Sequence, residues 1–219
     1  MPTSKPEGYL ATPAAGSGPG VLVLHPWWGL NETIKAVCDR LAAEGYLAYA
    51  PDLYHGRLAT TVEEAERLSD ELDPERARGD VAAAADLLWD RAEPGAPGLA
   101  VLGFSLGAYY ALQLSVDDAG RVAAVVLLYG TGDGDFHRAR ASYLGHFAGN
   151  DPYEPAEYVD WLEGALRDAG RPVTFHRYAG LGHWFFESDR PDAYDQPAAH
   201  LAWERTLAFL RDTLAPAQT

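Results

Sequence analysis

The chain has 219 residues, 47% of them hydrophobic, and a formal net charge of −15 at pH 7. That length suits a single domain spanning 1–219, since chains divide into several domains above roughly 250 residues. The acidic surface repels phosphate backbones and argues against nucleic acid as a partner, and no apolar run approaches the ~20 residues of a membrane helix.

Residues 1–20 are rich in Gly, Pro, Ser and Ala and read as a loose arm, with a short strand near Tyr9–Ala11. No apolar stretch precedes a cleavage site, so no secretory signal is expected and a cytoplasmic location is the default. VLVLHP (Val21 to Pro26) is a continuous apolar run of strand length. Asn31 to Glu44 follows as a helix, with Ile34, Val37, Cys38 and Leu41 on one face, and Gly45 stops it. Cys38 is the single cysteine, so no internal disulfide can form, and its place on the apolar face makes it a core residue. YLAYAPD is the second strand, and Thr61 to Leu72 and Pro74 to Ala92 are two helices.

LAVLGFS (Leu99 to Ser105) is the third strand and Leu106 to Ser115 the helix behind it. VAAVVLLYG, YLGHFAGND (Tyr143 to Asp151) and PVTFHRYA are the fourth, fifth and sixth strands. Pro155 to Ala169 and Pro197 to Leu214 are the remaining helices. Strands alternating with helices imply an α/β fold, a mostly parallel sheet covered on both faces. Strands buried on both sides read as unbroken apolar runs, as these do. Ligands bind such sheets at the carboxyl ends of the strands, so chemistry is sought in the residues just after each strand.

Gly103-Phe104-Ser105-Leu106-Gly107 fits the pattern G-x-S-x-G at a strand-to-helix junction. In that setting the pattern is a nucleophile elbow, a sharp turn that lifts the Ser105 hydroxyl clear of the backbone. The Leu106 N–H is then free to act on an oxyanion. The plainer reading is a tight glycine turn with an incidental serine. A phosphate or dinucleotide loop fits worse, because the third glycine of G-x-G-x-x-G and the G-K-[ST] ending are both missing.

A serine hydroxyl needs a base, and the chain order of such sites is Ser, then Asp or Glu, then His. His183 stands in Gly180-Leu181-Gly182-His183-Trp184, just after the sixth strand. His146 and His176 fall inside strands and His200 inside a helix, where structural roles are the better reading. His55 and His137 fall on loops, and His137 is the competitor. Asp151, in Gly149-Asn150-Asp151-Pro152 after the fifth strand, is the carboxylate that would orient His183. Its alternative is an ordinary turn aspartate ahead of a proline, and Asp133 and Asp135 are the fallback carboxylates.

The first apolar strand ends in His25-Pro26-Trp27-Trp28-Gly29. In folds with such an elbow this loop supplies a second oxyanion N–H. Proline has none, so the donor is expected from Trp27. One of the two tryptophans can equally pack into the core. Trp28, Tyr54, Phe104, Trp184 and Phe185 lie at or near strand ends and are expected to wall an apolar substrate pocket. No H-E-x-x-H, CxxC or paired-histidine spacing is present, so neither a metal nor another cofactor is expected.

The chain resembles the dienelactone hydrolase family of α/β-hydrolases. HPWWGLNETIKAVCDRLAAEGYLAYAPDLYHGR is similar to its oxyanion loop, first helix and following strand, with the PDLY ending. GFSLGA resembles its elbow and GNDPYEP its acid turn. GLGHWFFESDRPDAYDQPAAHLAWERTLAFL resembles its histidine loop and last helix. The similarity runs from Gly8 to Leu210. The family's namesake enzymes carry a cysteine nucleophile and a glutamate in the oxyanion loop, where this chain has Ser105 and Pro26. The short N-terminus also leaves a sheet without the outermost strand. The resemblance therefore implies a Ser-His-Asp esterase or lactonase acting on small-molecule esters or lactones, as a monomer or homodimer. A ligand-binding member of the same fold without turnover, and a cofactor-free perhydrolase, are the alternative readings.

Overall fold

The computed structural model describes residues 7–215. In chain order it contains β1 (Gly8–Ala11), β2 (Gly20–Leu24), α1 (Glu32–Ala43), β3 (Leu47–Pro51), α2 (Val62–Asp70), α3 (Pro74–Trp89) and β4 (Leu99–Phe104). These are followed by α4 (Leu106–Asp117), β5 (Val122–Leu128), β6 (Ser142–Ala148), α5 (Ala156–Asp168), β7 (Val173–Tyr178) and α6 (Gln196–Leu214). The sheet has the order β1-β3-β2-β4-β5-β6-β7. Only β1 runs antiparallel, with Tyr9 beside Ala50; every other pairing is parallel. Part of the expected loose arm is thus an edge strand, because Gly8 to Ala11 finds the open side of β3.

The sheet is buried on both faces, which is why its central strands are apolar throughout. Alternate residues of each strand point to opposite layers. Leu22, Leu24 and Val101 pack with Leu88 of α3, Ala111 of α4 and Leu162 of α5. Val21, Val23, Leu102 and Val126 pack with Ile34 and Leu41 of α1 and Leu210 of α6. Cys38 lies in this second layer, and its burial pushes the thiol up to about 12. β7, at the far edge, is buried only at Tyr178, with Thr174 and Arg177 exposed, as suits an edge strand.

The starts of α1, α2, α3 and α6 are set by side chains that satisfy the first free amides, while α5 begins after Pro155 without such a bond. Asn31 accepts from the Ile34 N–H, Thr61 from Glu64, Asp73 from Glu75 and Arg76, and Asp195 from Ala198. Gly45, at φ 96, turns the chain out of α1. α4 has no such cap: the residue before it is Ser105, whose side chain makes no capping bond. Among the described residues no helix is long and apolar enough to cross a membrane, and no group of three His, Cys, Asp or Glu could hold a metal ion.

Several ends differ from the sequence expectation. The fifth strand stops at Ala148, and Asn150 and Asp151 lie on the loop beyond it. The second helix of the pair ends at Trp89, and Arg91 and Ala92 only turn back on Leu88. His146, inside β6, is buried between Tyr178 Oη at 2.9 Å and Thr206 Oγ1 at 3.1 Å, and burial lowers it to about 3, so it is neutral. His200 on α6 is exposed and pairs with Glu204 at 3.2 Å.

Candidate active site

β4 ends in the middle of the sheet, flanked by β2 and β5. Ser105 follows it with φ 48 and ψ −112, a conformation that side-chain-bearing residues rarely adopt. Its amide donates to Leu128 O at 2.9 Å, tying the turn to the end of β5. The two elbow glycines are there for contact. A Cβ on Gly103 would stand 2.5 Å from Gly107 O, and one on Gly107 would stand 2.2 Å from Leu24 O. The turn is thereby pressed against the end of β2. Gly107→Ala is expected to destabilise the protein by about 3 kcal/mol, since the added methyl would meet the Leu24 and His25 backbone rather than a flexible side chain. Denaturant unfolding measures it, and an unchanged midpoint would remove this account of the glycine.

Three segments far apart in the chain meet at the elbow. His183 Nε2 lies 2.9 Å from Ser105 Oγ, and His183 Nδ1 lies 2.7 Å from Asp151 Oδ2. The His183 and Asp151 side chains are 3% and 1% exposed, so water does not compete for either bond. An ionised carboxylate only accepts, so Nδ1 carries the proton and Nε2 is left to accept from the Ser105 hydroxyl. The other oxygen of Asp151 is also held: the Tyr153 and Glu154 amides donate to Oδ1 at 2.9 and 3.1 Å. Asp133, Asp135 and His137 have no hydrogen bond to this cluster.

The loop after β2 lies alongside. Leu24 pairs with Gly103, so His25 to Gly29 emerges next to the elbow. The turn from Pro26 to Gly29 is closed by the Gly29 N–H on Pro26 O at 3.1 Å. Sequence reasoning passed over His25. It is fully buried, accepts from the Leu53 N–H on Nε2 at 3.1 Å, and so donates from Nδ1 to Pro26 O at 2.7 Å. Burial lowers its pKa, in keeping with a neutral ring. Pro26 C=O and Trp27 N–H belong to one planar trans peptide and point in opposite directions. The bond from His25 therefore also fixes where the Trp27 N–H points. Neither this amide nor that of Leu106 is given to a backbone carbonyl among the described residues.

A cavity of about 620 Å³ opens beside His183, lined by Trp28, Val62, Tyr153, Trp184 and Arg190. Trp27, Trp28, Tyr153 and Trp184 touch one another through ring contacts of 5.1 to 6.1 Å. The Arg190 guanidinium lies 3.6 Å above the Trp28 ring. Of the five aromatic residues expected to wall the pocket, Trp28 and Trp184 do. Tyr54, Phe104 and Phe185 do not: they are buried within the core clusters. Phe104 is a strand residue whose side chain points into the layer under α6, against Tyr129 and Phe186. Phe185 packs on Tyr178 and Tyr129, and Tyr54 covers His25. Tyr153 takes the vacant place in the wall. Only its position beside the Asp151 turn could have suggested it.

Comparisons with known proteins agree with this architecture. The model of the Dienelactone hydrolase family matches residues 7–214. The chain is 31% identical to "Protein usf" of Aquifex pyrophilus, over 96% of this chain and 94% of that one. It is 30% identical to a protein of Aquifex aeolicus (strain VF5) named "Putative carboxymethylenebutenolidase", again over 96% and 94% of the two chains. The solved structure "m3DLH" superposes with a TM-score of 0.81 at 27% identity, covering 91% of this chain and 88% of the other. The chain therefore belongs to the dienelactone hydrolase family and is a hydrolase of the α/β-hydrolase fold.

Proposed function

We propose that the protein is a serine esterase or lactonase that cleaves small carboxylic esters through an acyl-enzyme on Ser105. The observation that carries this reading is the hydrogen-bonded chain from Ser105 through His183 to Asp151, at 2.9 and 2.7 Å. The reaction follows from the geometry. The Ser105 oxygen attacks the substrate carbonyl as its proton passes to His183 Nε2. Asp151 stabilises the imidazolium that results. The carbonyl oxygen, now negative, is met by the Trp27 and Leu106 N–H groups. His183 gives its proton to the departing alkoxide. Water then enters and attacks the acyl carbon as it loses a proton to the same nitrogen; the bond to the Ser105 oxygen breaks, His183 returns the proton to that oxygen, and the acid is released. Every group needed is in the chain or is water, so the reading requires no cofactor.

The side chain at position 26 supports a serine rather than a thiol mechanism. A thiol gains from a nearby anionic base because it reacts as the thiolate. A hydroxyl is deprotonated only as it attacks, by a base already aligned with it. A carboxylate near the oxyanion would oppose the developing charge, and Pro26 places none there. The aromatic wall of Trp28, Tyr153 and Trp184 suits an acyl or alcohol group with a flat apolar part.

A fluorophosphonate probe tests the assignment. It is expected to label Ser105 as mapped by peptide mass, to be competed by a simple ester such as p-nitrophenyl acetate, and to leave the other serines unmodified. Failure to label, or label at another residue, would overturn it. Multiple turnovers of p-nitrophenyl acetate, abolished by the label, separate this reading from a ligand-binding protein, which would show none.

A further inference from the structure

Two buried residues under the His183 ring have no step in this chemistry. Tyr129 follows β5 directly. It is fully buried, its amide donates to His146 O at 2.9 Å, and its backbone sits at φ 39. Its ring lies 4.8 Å from that of His183, centroid to centroid, tilted by 59°. Its hydroxyl donates to Glu187 Oε1 at 2.8 Å.

Glu187 belongs to the loop that carries His183 and is itself 0% exposed. Its amide donates to Trp184 O at 2.9 Å, and its carbonyl accepts the Arg190 N–H at 3.0 Å. Glu187 Oε2 has no hydrogen-bond partner among the described residues. Between His183 and Glu187 the chain passes through Trp184 at φ 66, so this loop is held in a conformation it would not keep by itself.

Two apolar side chains would fill the same space without burying an unpaired oxygen. What the polar pair adds is a fixed link between the end of β5, where the elbow is anchored, and the loop that bears the base. We propose that Glu187, through Tyr129, is a positioning residue that holds the His183 ring with Nε2 facing Ser105 Oγ. The proposal rests on the esterase reading above. Asp151 holds one end of the imidazole, about which the ring can pivot, and the Tyr153 ring lies 5.1 Å from it, centroid to centroid. The Tyr129 ring, braced by Glu187, closes off the pivot on one side.

The brace works in its neutral form. Burial pushes the Glu187 carboxyl up to about 8; the charge of Asp189 adds to this, while the Tyr129 hydrogen bond and Arg190 oppose it. Asp151 and Asp189 also face Tyr129, and burial raises its phenol well above the ordinary value. The folded protein therefore keeps a proton on Glu187 that the unfolded chain gives up at the ordinary carboxylate pH. Stability is full below that range and falls as pH rises towards about 8. Above that pH Glu187 ionises in place, and an anion without solvent forces its surroundings to rearrange.

The test compares Glu187→Ala, Glu187→Gln, Tyr129→Phe and wild type by steady-state kinetics and by the proton NMR signal of His183 Nδ1–H, across neutral and alkaline pH. Glu187→Ala and Tyr129→Phe are expected to lower kcat about 10-fold or more with KM nearly unchanged, the mark of a misplaced group rather than lost binding. Glu187→Gln, the shape of the neutral acid with the acceptor for Tyr129 intact, is expected to recover most of that turnover. It should also remove a fall in kcat that wild type shows above pH about 8. The His183 signal should vanish in wild type over the same range and persist in Glu187→Gln. The idea is overturned if Glu187→Ala keeps wild-type kcat, or if Glu187→Gln shows the wild-type alkaline fall and loss of signal. Should Glu187→Ala not fold, Tyr129→Phe and Glu187→Gln decide alone. The NMR signal needs no turnover, so it still decides the matter if Ser105 escapes the fluorophosphonate and the esterase reading fails.

Discussion

Ser105→Ala is expected to lower kcat/KM for a simple ester by on the order of 10³-fold or more, leaving the fold intact. The hydroxyl at the head of α4 lies 2.9 Å from His183 Nε2, so its removal leaves the base with nothing to activate but water. A residual rate over water should survive, because the Trp27 and Leu106 amides are untouched. Alanine at φ 48 is as strained as serine, so stability should hardly change. Glycine is not strained there, and Ser105→Gly is expected to be equally inactive yet more stable by about 1 kcal/mol. Activity and thermal unfolding of the two variants, measured together, separate loss of the nucleophile from damage to the elbow. Wild-type activity in either variant would remove Ser105 from the mechanism.

Asp151→Asn is expected to cost about 10⁴-fold in kcat with little change in KM, although the substitution is nearly isosteric. The direction follows from which oxygen is held. Oδ1 accepts from the Tyr153 and Glu154 amides, so the asparagine must turn its own oxygen there. Its NH₂ then faces His183 Nδ1, which can only accept. The imidazole proton moves to Nε2 and points at the Ser105 hydroxyl. A nitrogen that bears a proton cannot take another from serine, so the geometry survives while the chemistry stops. Steady-state kinetics measure the loss, and NMR of the imidazole nitrogens reads the tautomer. An active Asp151→Asn enzyme, or one with the proton still on Nδ1, would mean that the carboxylate does not set the tautomer.

The strands and the mostly parallel sheet they form were legible because burial on two faces leaves an unambiguous mark, runs such as VAAVVLL with no polar break, whereas the order of the strands in the sheet left no such mark. The three segments that meet at the elbow were legible for a different reason. Each sits just past a strand and follows a glycine, and at the elbow the spacing of Gly103 and Gly107 has a steric cause. The residues that support them carry no such mark. His25 reads as the tail of a strand, and its role depends on Leu53, a residue from another loop. Tyr129 and Glu187 are tied by a bond across 58 positions of sequence, and neither has a motif. The pocket wall was half misread for the same cause. Phe104 and Tyr153 both flank catalytic candidates, and only the pleat of β4 and the turn at Asp151 decide which one points inward and which one faces the cavity.

The distances in sequence between the assembled groups bear on how the protein comes to life. Ser105 and His183 are separated by 78 positions, and Asp151 and His183 by 32. Each is delivered by the end of a different parallel strand, and parallel pairing of this kind forms late, after the helices and the general collapse. A nascent or refolding chain can hold all its helices and still have no working site. Recovery of ester turnover during refolding therefore times the final registration of β4, β6 and β7, and it should lag behind the return of helical circular dichroism.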